Sequence, residues 1–275
     1  MDASPGLIAD HHQRARGELR LAFKRRGDAS VLDVLRQDGC LKARFPRPDR
    51  GDWADAVTLN SAGGIAGGDV LETCVTVGAG AAATVAAQAA ERVYRALPGA
   101  AARVSTTLRV AAGAALEWLP QETILFDRCA LRRTVDIDLA EDARFLGVES
   151  LVFGRTAMGE EVETARLHDR IRLRRRGRLV LHDAIRLDGP VARLLDRAAI
   201  GGGARAVATL IQVAPVLPLE ALREALAGFE AGASVVEGVL VARIVAPTGA
   251  LLRDAVVTGL NILRGGRTLP RVWLC

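Results

Sequence analysis

From Ala165 to His182 the chain reads ARLHDRIRLRRRGRLVLH, where Leu167, Asp169, Ile171 and Leu173 alternate with Arg166, His168, Arg170, Arg172 and Arg174. A period of two places the two sets on opposite faces of a strand. The Arg-Gly pair before a second run from Leu179 then predicts a β-hairpin with one wet, basic face. A looser alternation recurs upstream in VTVGAGAAATVAAQ from Val75, LRVAAGAALEWLPQ from Leu108 and IDLAEDARFLGVES from Ile137. Each is a short alternating strand, a Gly or Asp followed by Ala, and a second short strand. The starting points lie 33 and 29 residues apart. Such a period suits stacked units that bury their apolar faces on one another, and alanine where Val or Ile is usual predicts closely packed layers.

Helical spacing appears only late in the chain. LEALREALAGF puts Leu219, Leu222, Leu226 and Phe229 on one stripe behind Pro218, a start signal. ALLRDAVVTGLNILRGG puts Leu252, Val256, Gly259, Leu260 and Leu263 on another and ends in a Gly-Gly stop. SVVEGVLVARIVAP, between them, reads as one or two strands, and IGGGARA from Ile200 as a flexible loop. The fold class is therefore mainly β, with stacked strand layers resembling a β-helix or two-layer β-solenoid and about two α-helices in the C-terminal half. No linker interrupts the pattern, so residues 1–275 read as one domain with 1–16 as a flexible tail.

Composition narrows the function classes. Half the residues are apolar, yet runs such as AGAAATVAAQAA are alanine-rich and interrupted, and none matches a membrane span of ~20 residues. The start, MDASPGLIADHHQRARGELR, lacks the basic and apolar regions of a secretory signal, which predicts a cytoplasmic protein. Cys40, Cys74, Cys129 and Cys275 form no CxxC pair and signal neither a disulfide framework nor a zinc knuckle. Lys plus Arg outnumber Asp plus Glu by 37 to 32, which suits an acidic partner, whether nucleic acid or protein. At 4% aromatic content, a base-stacking platform is poorly supplied.

NSAGGIAGGD, residues 60–69, invites a phosphate-loop reading, but neither GxxxxGK[ST] nor GxGxxG spacing is present and Asp69 would repel phosphate. A bend requiring positive φ is the alternative. The histidines, His11, His12, His168 and His182, accompany no GxSxG or HExxH motif; the His11-His12 pair is a possible ligand set for a soft divalent ion, with plain exposure as the alternative. Of the carboxylates Asp69, Glu117, Glu122, Glu149, Glu160 and Glu161, any lining a cavity would suit passage of a borderline cation, while pairing with arginine is their ordinary role. The residues alone leave open a basic β-rich nucleic-acid-binding module and a hydrolase with a Glu117–Glu122 carboxylate pair.

Five stretches in order, NSAGGIAGGD, QAAERVYRA, LEWLPQETILFD, GRTAMGE and LPRVW, resemble the urease accessory protein family UreD, also called UreH, from about residue 20 to the end. Glu91-Arg92 stands where Thr-Lys is common in that family, and Ser-Ala precedes the first double glycine where Pro is common. The resemblance implies a non-enzymatic scaffold that binds apo-urease and recruits a UreF-type partner and a UreG-type GTPase for nickel insertion. It implies no tightly bound cofactor, nickel as transient cargo, no nucleic acid or membrane partner, and a hetero-oligomer, with a dimer of complexes as one arrangement. An internal nickel passage is implied as well, with Asp69, Glu122 and Glu160 the matching candidates for its lining. For partner contacts the candidates are Leu252, Leu260 and Leu263 toward a UreF-type protein, and Arg170 and Arg172 toward an acidic urease surface.

Overall fold

The computed structural model describes residues 14–47, 51–155 and 159–274. An N-terminal hairpin, β1 (Arg16–Arg26) and β2 (Ala29–Gly39), is followed by β3 (Leu41–Arg44) and β4 (Ala54–Asn60). The repeat region gives β5 (Val70–Val77), β6 (Ala82–Ala87), β7 (Glu91–Val93), β8 (Ala102–Val110), β9 (Ala115–Leu119), β10 (Thr123–Leu125), β11 (Ala130–Leu139) and β12 (Arg144–Phe153). The basic hairpin is β13 (Ala165–Arg175) and β14 (Arg178–Gly189), its turn formed by Arg176 and Gly177 at φ 54° and 74°. The remainder is α1 (Val191–Leu195), β15 (Ala206–Val213), α2 (Leu219–Ala225), β16 (Ala231–Val236), β17 (Val239–Ala246), α3 (Gly249–Leu263) and a 3-10 turn, Arg271–Trp273.

The three repeats are coils of a two-sheet solenoid. Among the described residues, seven strands form one sheet in the order β14-β13-β11-β8-β5-β1-β2. Ten form the other, with the main path β16-β17-β15-β12-β9-β6-β4-β3 and β7 and β10 attached beside β12. Each repeat supplies one parallel strand to each sheet. Val75, Leu108 and Ile137, the first residues of the three repeats, lie directly beside one another, as do Ala82, Ala115 and Arg144 seven positions on. The corners stack as well: Ala81, Ala114 and Ala143 occupy the same inner corner of successive coils and are buried. Any larger side chain there would meet the layers above and below, which accounts for the alanine-rich repeat.

Register makes the core a set of ladders. Leu21, Val75, Leu108, Ile137 and Leu173 form one row across five parallel strands, all buried between the sheets. Each such side chain stabilises the fold by about 1.5–3 kcal/mol on burial. A second core lies on the other face of the ten-stranded sheet, where α3 packs Leu252, Val256, Leu260 and Leu263 on β15, β17 and α2. Gly259 permits this approach, since a Cβ there would lie 2.6 Å from Leu210 Cδ1. The helix starts on Thr248, whose Oγ1 accepts from Leu251 N, and stops at Gly265 and Gly266, both at positive φ.

The layers are thus an open sheet, a covered sheet and a helix layer. The predicted β-solenoid class and both predicted helices are present, with α2 ending at Ala225 rather than Phe229. The short α1 had no sequence signal, and IGGGARA forms a turn in which Gly201 and Gly202 donate to Arg197 O and Gly203 donates to Leu195 O. No helix among the described residues is long and apolar enough to cross a membrane.

Candidate functional site

The described residues of the five stretches quoted above come together at one end of the sandwich. In the glycine loop, Ile65 bridges to Val93, Tyr94 Oη donates to Gly63 O at 2.9 Å, and Asn60 Nδ2 donates to the Glu91 carboxylate at 3.2 and 3.3 Å. Gly64 explains the glycine requirement: its φ is 150°, and a Cβ would sit 2.3 Å from the Tyr94 ring. Tyr94 meets Phe126 edge-on at 5.1 Å, and Arg155 lies over the Phe126 ring at 4.3 Å. The WLPQE segment receives the C-terminus, because Trp273 Nε1 donates to Leu119 O at 3.0 Å and Gln121 Nε2 to Val272 O.

Beneath these loops a cavity of about 280 Å³ runs between the sheets. Its lining is polar toward the loops, with Asn60, Gln88, Glu91, Arg92 and Gln121, and apolar along Leu71, Val104 and Val135. Its floor is charged. Arg133 on β11 and Asp169 on β13 are directly opposed in register and point inward, where their neighbours on the same face, Leu131, Val135, Leu167 and Ile171, are apolar. Arg133 Nε and Nη2 donate to the two Asp169 carboxylate oxygens at 2.8 and 2.7 Å, and Nη1 reaches Glu149 Oε2 at 2.9 Å and Thr123 Oγ1 at 2.9 Å. Trp118 Nε1 donates to the other Glu149 oxygen at 2.9 Å. Behind Glu149 a void of about 10 Å³, the size of one water, is bordered by Asp169, Asp183 and Arg243, the last two paired at 2.5 Å.

The electrostatics follow from burial. Glu149 is raised above the ordinary carboxylate range, chiefly by loss of solvent, although Arg133 pulls it down. Arg133 is held cationic by Asp169 and Glu149 against the same loss. At the rim, burial pushes Glu91 up to about 6 against the opposing Asn60 hydrogen bond. The cavity therefore carries at its opening a carboxylate that burial raises to about 6, and at its floor carboxylates bound by an arginine.

Of the carboxylates considered from sequence, Glu149 lines this cavity, whereas Asp69, Glu122 and Glu160, the three matched through the family resemblance, do not. Asp69 is buried and accepts from Ala15 N at 2.8 Å and Ala66 N at 2.7 Å, so it caps its own turn and fixes the chain leading into β1. Glu122 pairs with Arg253 of α3 at 3.0 Å, and Glu160 with Arg155 at 2.6 Å. Glu117, the other half of the hydrolase pair, is buried and bound by Arg264, Arg267 and Thr84 Oγ1, which leaves no free carboxylate couple for acid-base work. Leu252, Leu260 and Leu263 are core, so a docking protein has no access to them in this fold. Arg172 is bound through both forks to Asp136 at 2.6 and 2.7 Å, while Arg170 reaches only Thr134 Oγ1 at 3.5 Å. His11 and His12 lie outside the described residues. Among the described residues no cluster of three or more His, Cys, Asp or Glu stands ready to hold a metal ion.

Arg133 and Glu149 had not been assigned a joint role from sequence, although a signal was present. In ALRRTVDIDL, parity puts Arg133 with Leu131, Val135 and Ile137, just as Asp169 sits with Leu167, Ile171 and Leu173. Opposite charges breaking the apolar parity of two adjacent coils mark a buried ion pair.

The architecture is a two-sheet solenoid of mainly parallel coils that encloses a polar cavity. The sequence matches the model of the UreD urease accessory protein family over residues 15–274. It is 46% identical over 272 residues to "Urease accessory protein UreD 2" of Methylorubrum populi, covering 95% of this chain and 91% of the relative. It is 44% identical over 264 residues to "Urease accessory protein UreD" of Rhizobium leguminosarum bv. viciae, covering 95% and 96%. The chain belongs to the UreD urease accessory protein family, and its role lies in urease maturation, of a chaperone type.

Proposed function

We propose that the chain is a cytoplasmic scaffold that binds apo-urease and recruits a UreF-type protein and a UreG-type GTPase, with nickel as transient cargo and no resident cofactor. The observation that carries this reading is the cavity between the sheets, with Glu91 at its rim and Glu149 at its floor. Two carboxylates apart from each other attract a divalent cation without surrounding it, which suits passage over storage; a borderline cation such as nickel takes imidazole and oxygen donors but needs several to be retained. We assign the polar lining to Glu91 and Glu149 in place of Asp69, Glu122 and Glu160, which lie outside the cavity. Arg170 keeps its candidacy for a urease contact, because its charge is not neutralised as that of Arg172 is.

The test is co-expression of the urease subunits and the partner proteins with the chain, without it, and with Glu91→Gln/Glu149→Gln. Urease recovered without the chain is expected to be inactive and nickel-poor. The double variant is expected to co-purify with its partners yet leave urease with less than half its nickel. Full activation without the chain would remove the maturation reading, and full nickel loading by the double variant would remove the passage.

A further inference from the structure

The outer face of the seven-stranded sheet carries a charge pattern that neither folding nor a nickel passage uses. Register places Arg103 of β8 beside Arg132 of β11, Arg132 beside His168 of β13, and His168 beside Arg186 of β14. Parity turns all four outward, since their neighbours Val104, Arg133, Asp169 and Ile185 point between the sheets. Arg103, Arg132 and Arg186 are exposed and form no ion pair among the described residues. Two rows along the same face the pattern is opposite, because Asp136 lies between Arg172 at 2.6 Å and Arg174 at 3.7 Å. Like charges directly opposite one another on neighbouring strands destabilise a sheet, so three arginines and a histidine in one row have no structural use.

Beside the row is a cleft of about 480 Å³ lined by Arg132, Arg166, His168, Arg170 and Arg186, with Asp188 as its one carboxylate. Arg170 Nε is buried against it without a hydrogen-bond partner among the described residues. Guanidinium donors with no acceptor suit planar carboxylates, which they bind through two parallel hydrogen bonds. At about 4.8 Å between strands, the row spans roughly 14 Å, enough for two or three carboxylates of an extended segment lying across the sheet. β8, β11, β13 and β14 contain no Phe, Trp or Tyr, so the face offers nothing on which nucleic-acid bases would stack.

We infer that this row is a docking site for an acidic, extended segment of a protein partner. Its assignment to a maturation partner rests on the function proposed above; the acidic specificity does not. The test uses the full chain and two fluorescein-labelled probes, a ten-residue peptide of alternating Glu and Ser and a ten-nucleotide single-stranded DNA, followed by anisotropy at 50 and 300 mM NaCl. The variants are Arg132→Glu/Arg186→Glu and, as a control with the same change in net charge, Arg193→Glu/Arg197→Glu, all four positions being exposed. Circular dichroism verifies that each is folded.

The wild type is expected to bind the peptide at 50 mM NaCl and more weakly at 300 mM, the row variant at least about tenfold more weakly, and the control within about twofold. Equal losses in both variants, no binding by the wild type, or tighter binding of the DNA through the same residues would each overturn the inference. Urease activation by the same variants separates the two readings. If the chain is required for activation but the row variant binds peptide normally, the docking row falls and the maturation role stands. If the chain is dispensable, the maturation role falls whatever the peptide does.

Discussion

Replacing Arg133 by Met tests the charged floor most directly. The side chain is of similar length and apolar, so shape is largely kept while five hydrogen-bond donors are lost. Glu149 and Asp169 then face one another across the cavity with no cation between them, and one must take up a proton for the fold to persist. Protonating a carboxylate of ordinary pKa at pH 7 costs roughly 3–4 kcal/mol. That agrees with the ~3–5 kcal/mol found when one partner of a buried ion pair is removed. For a chain of this size the loss corresponds to a fall in Tm of about 10 °C.

The pH dependence identifies the cause. The proton that replaces the guanidinium is bound by the folded variant and absent from the unfolded chain above pH 5. Stability of the variant therefore falls as pH rises, by about 1.4 kcal/mol per unit, and its deficit relative to wild type shrinks to roughly 1 kcal/mol at pH 5. Thermal melts of both proteins at pH 5, 6, 7 and 8 measure it. Adding Asp169→Asn or Glu149→Gln to Arg133→Met should recover at least half the deficit at pH 7. A deficit below about 1 kcal/mol at pH 7, or one that does not change with pH, would show that the triad is not a buried charge network.

Two further outcomes are expected. Glu91 has a folded pKa of about 6 against 4.5 unfolded, so the folded state holds its proton longer and this group makes stability decline as pH rises between those values. Glu91→Gln should remove that decline, and Tm of the variant relative to wild type should rise from pH 4.5 to 6 and then level; a flat difference across that range would contradict the assignment. Gly64→Ala places a methyl group 2.3 Å from the Tyr94 ring and 2.8 Å from Arg92 O, at a φ that alanine resists, so Tm should fall by about 5 °C or more, with faster hydrogen exchange at residues 61–68 than elsewhere.

The architecture was legible where local pattern and long-range order coincide. A period of two, a recurring small-residue corner and the same seven-residue step across it in each repeat specify coils, and the register of Val75, Leu108 and Ile137 is the same alignment that sequence comparison of the repeats gives. The site was less legible, because the fate of a carboxylate depends on neighbours far away in the chain. Glu122 meets Arg253 across 131 residues and Glu117 meets Arg264 across 147, distances over which no periodicity carries information. The stripe of Leu252, Leu260 and Leu263 was visible, but a stripe does not say whether a sheet of the same chain or another protein covers it. The basic face of β13 is half-buried except at Arg166, and which of its arginines are neutralised depends on Asp136, 36 residues before Arg172.

The long-distance ties between the WLPQE segment and residues 253–273 make the helix layer a condition for completing the covered sheet. Glu117, Leu119, Gln121 and Glu122 all have partners among residues 253–273. The coils pair through neighbouring strands, but until residues 253–273 dock Glu117 has neither Arg264 nor Arg267, and the Leu119 carbonyl lacks the Trp273 donor. A chain cut before Arg264 thus leaves a buried carboxylate without its cations in an otherwise complete solenoid, so the helix layer and the coils hold or fail together.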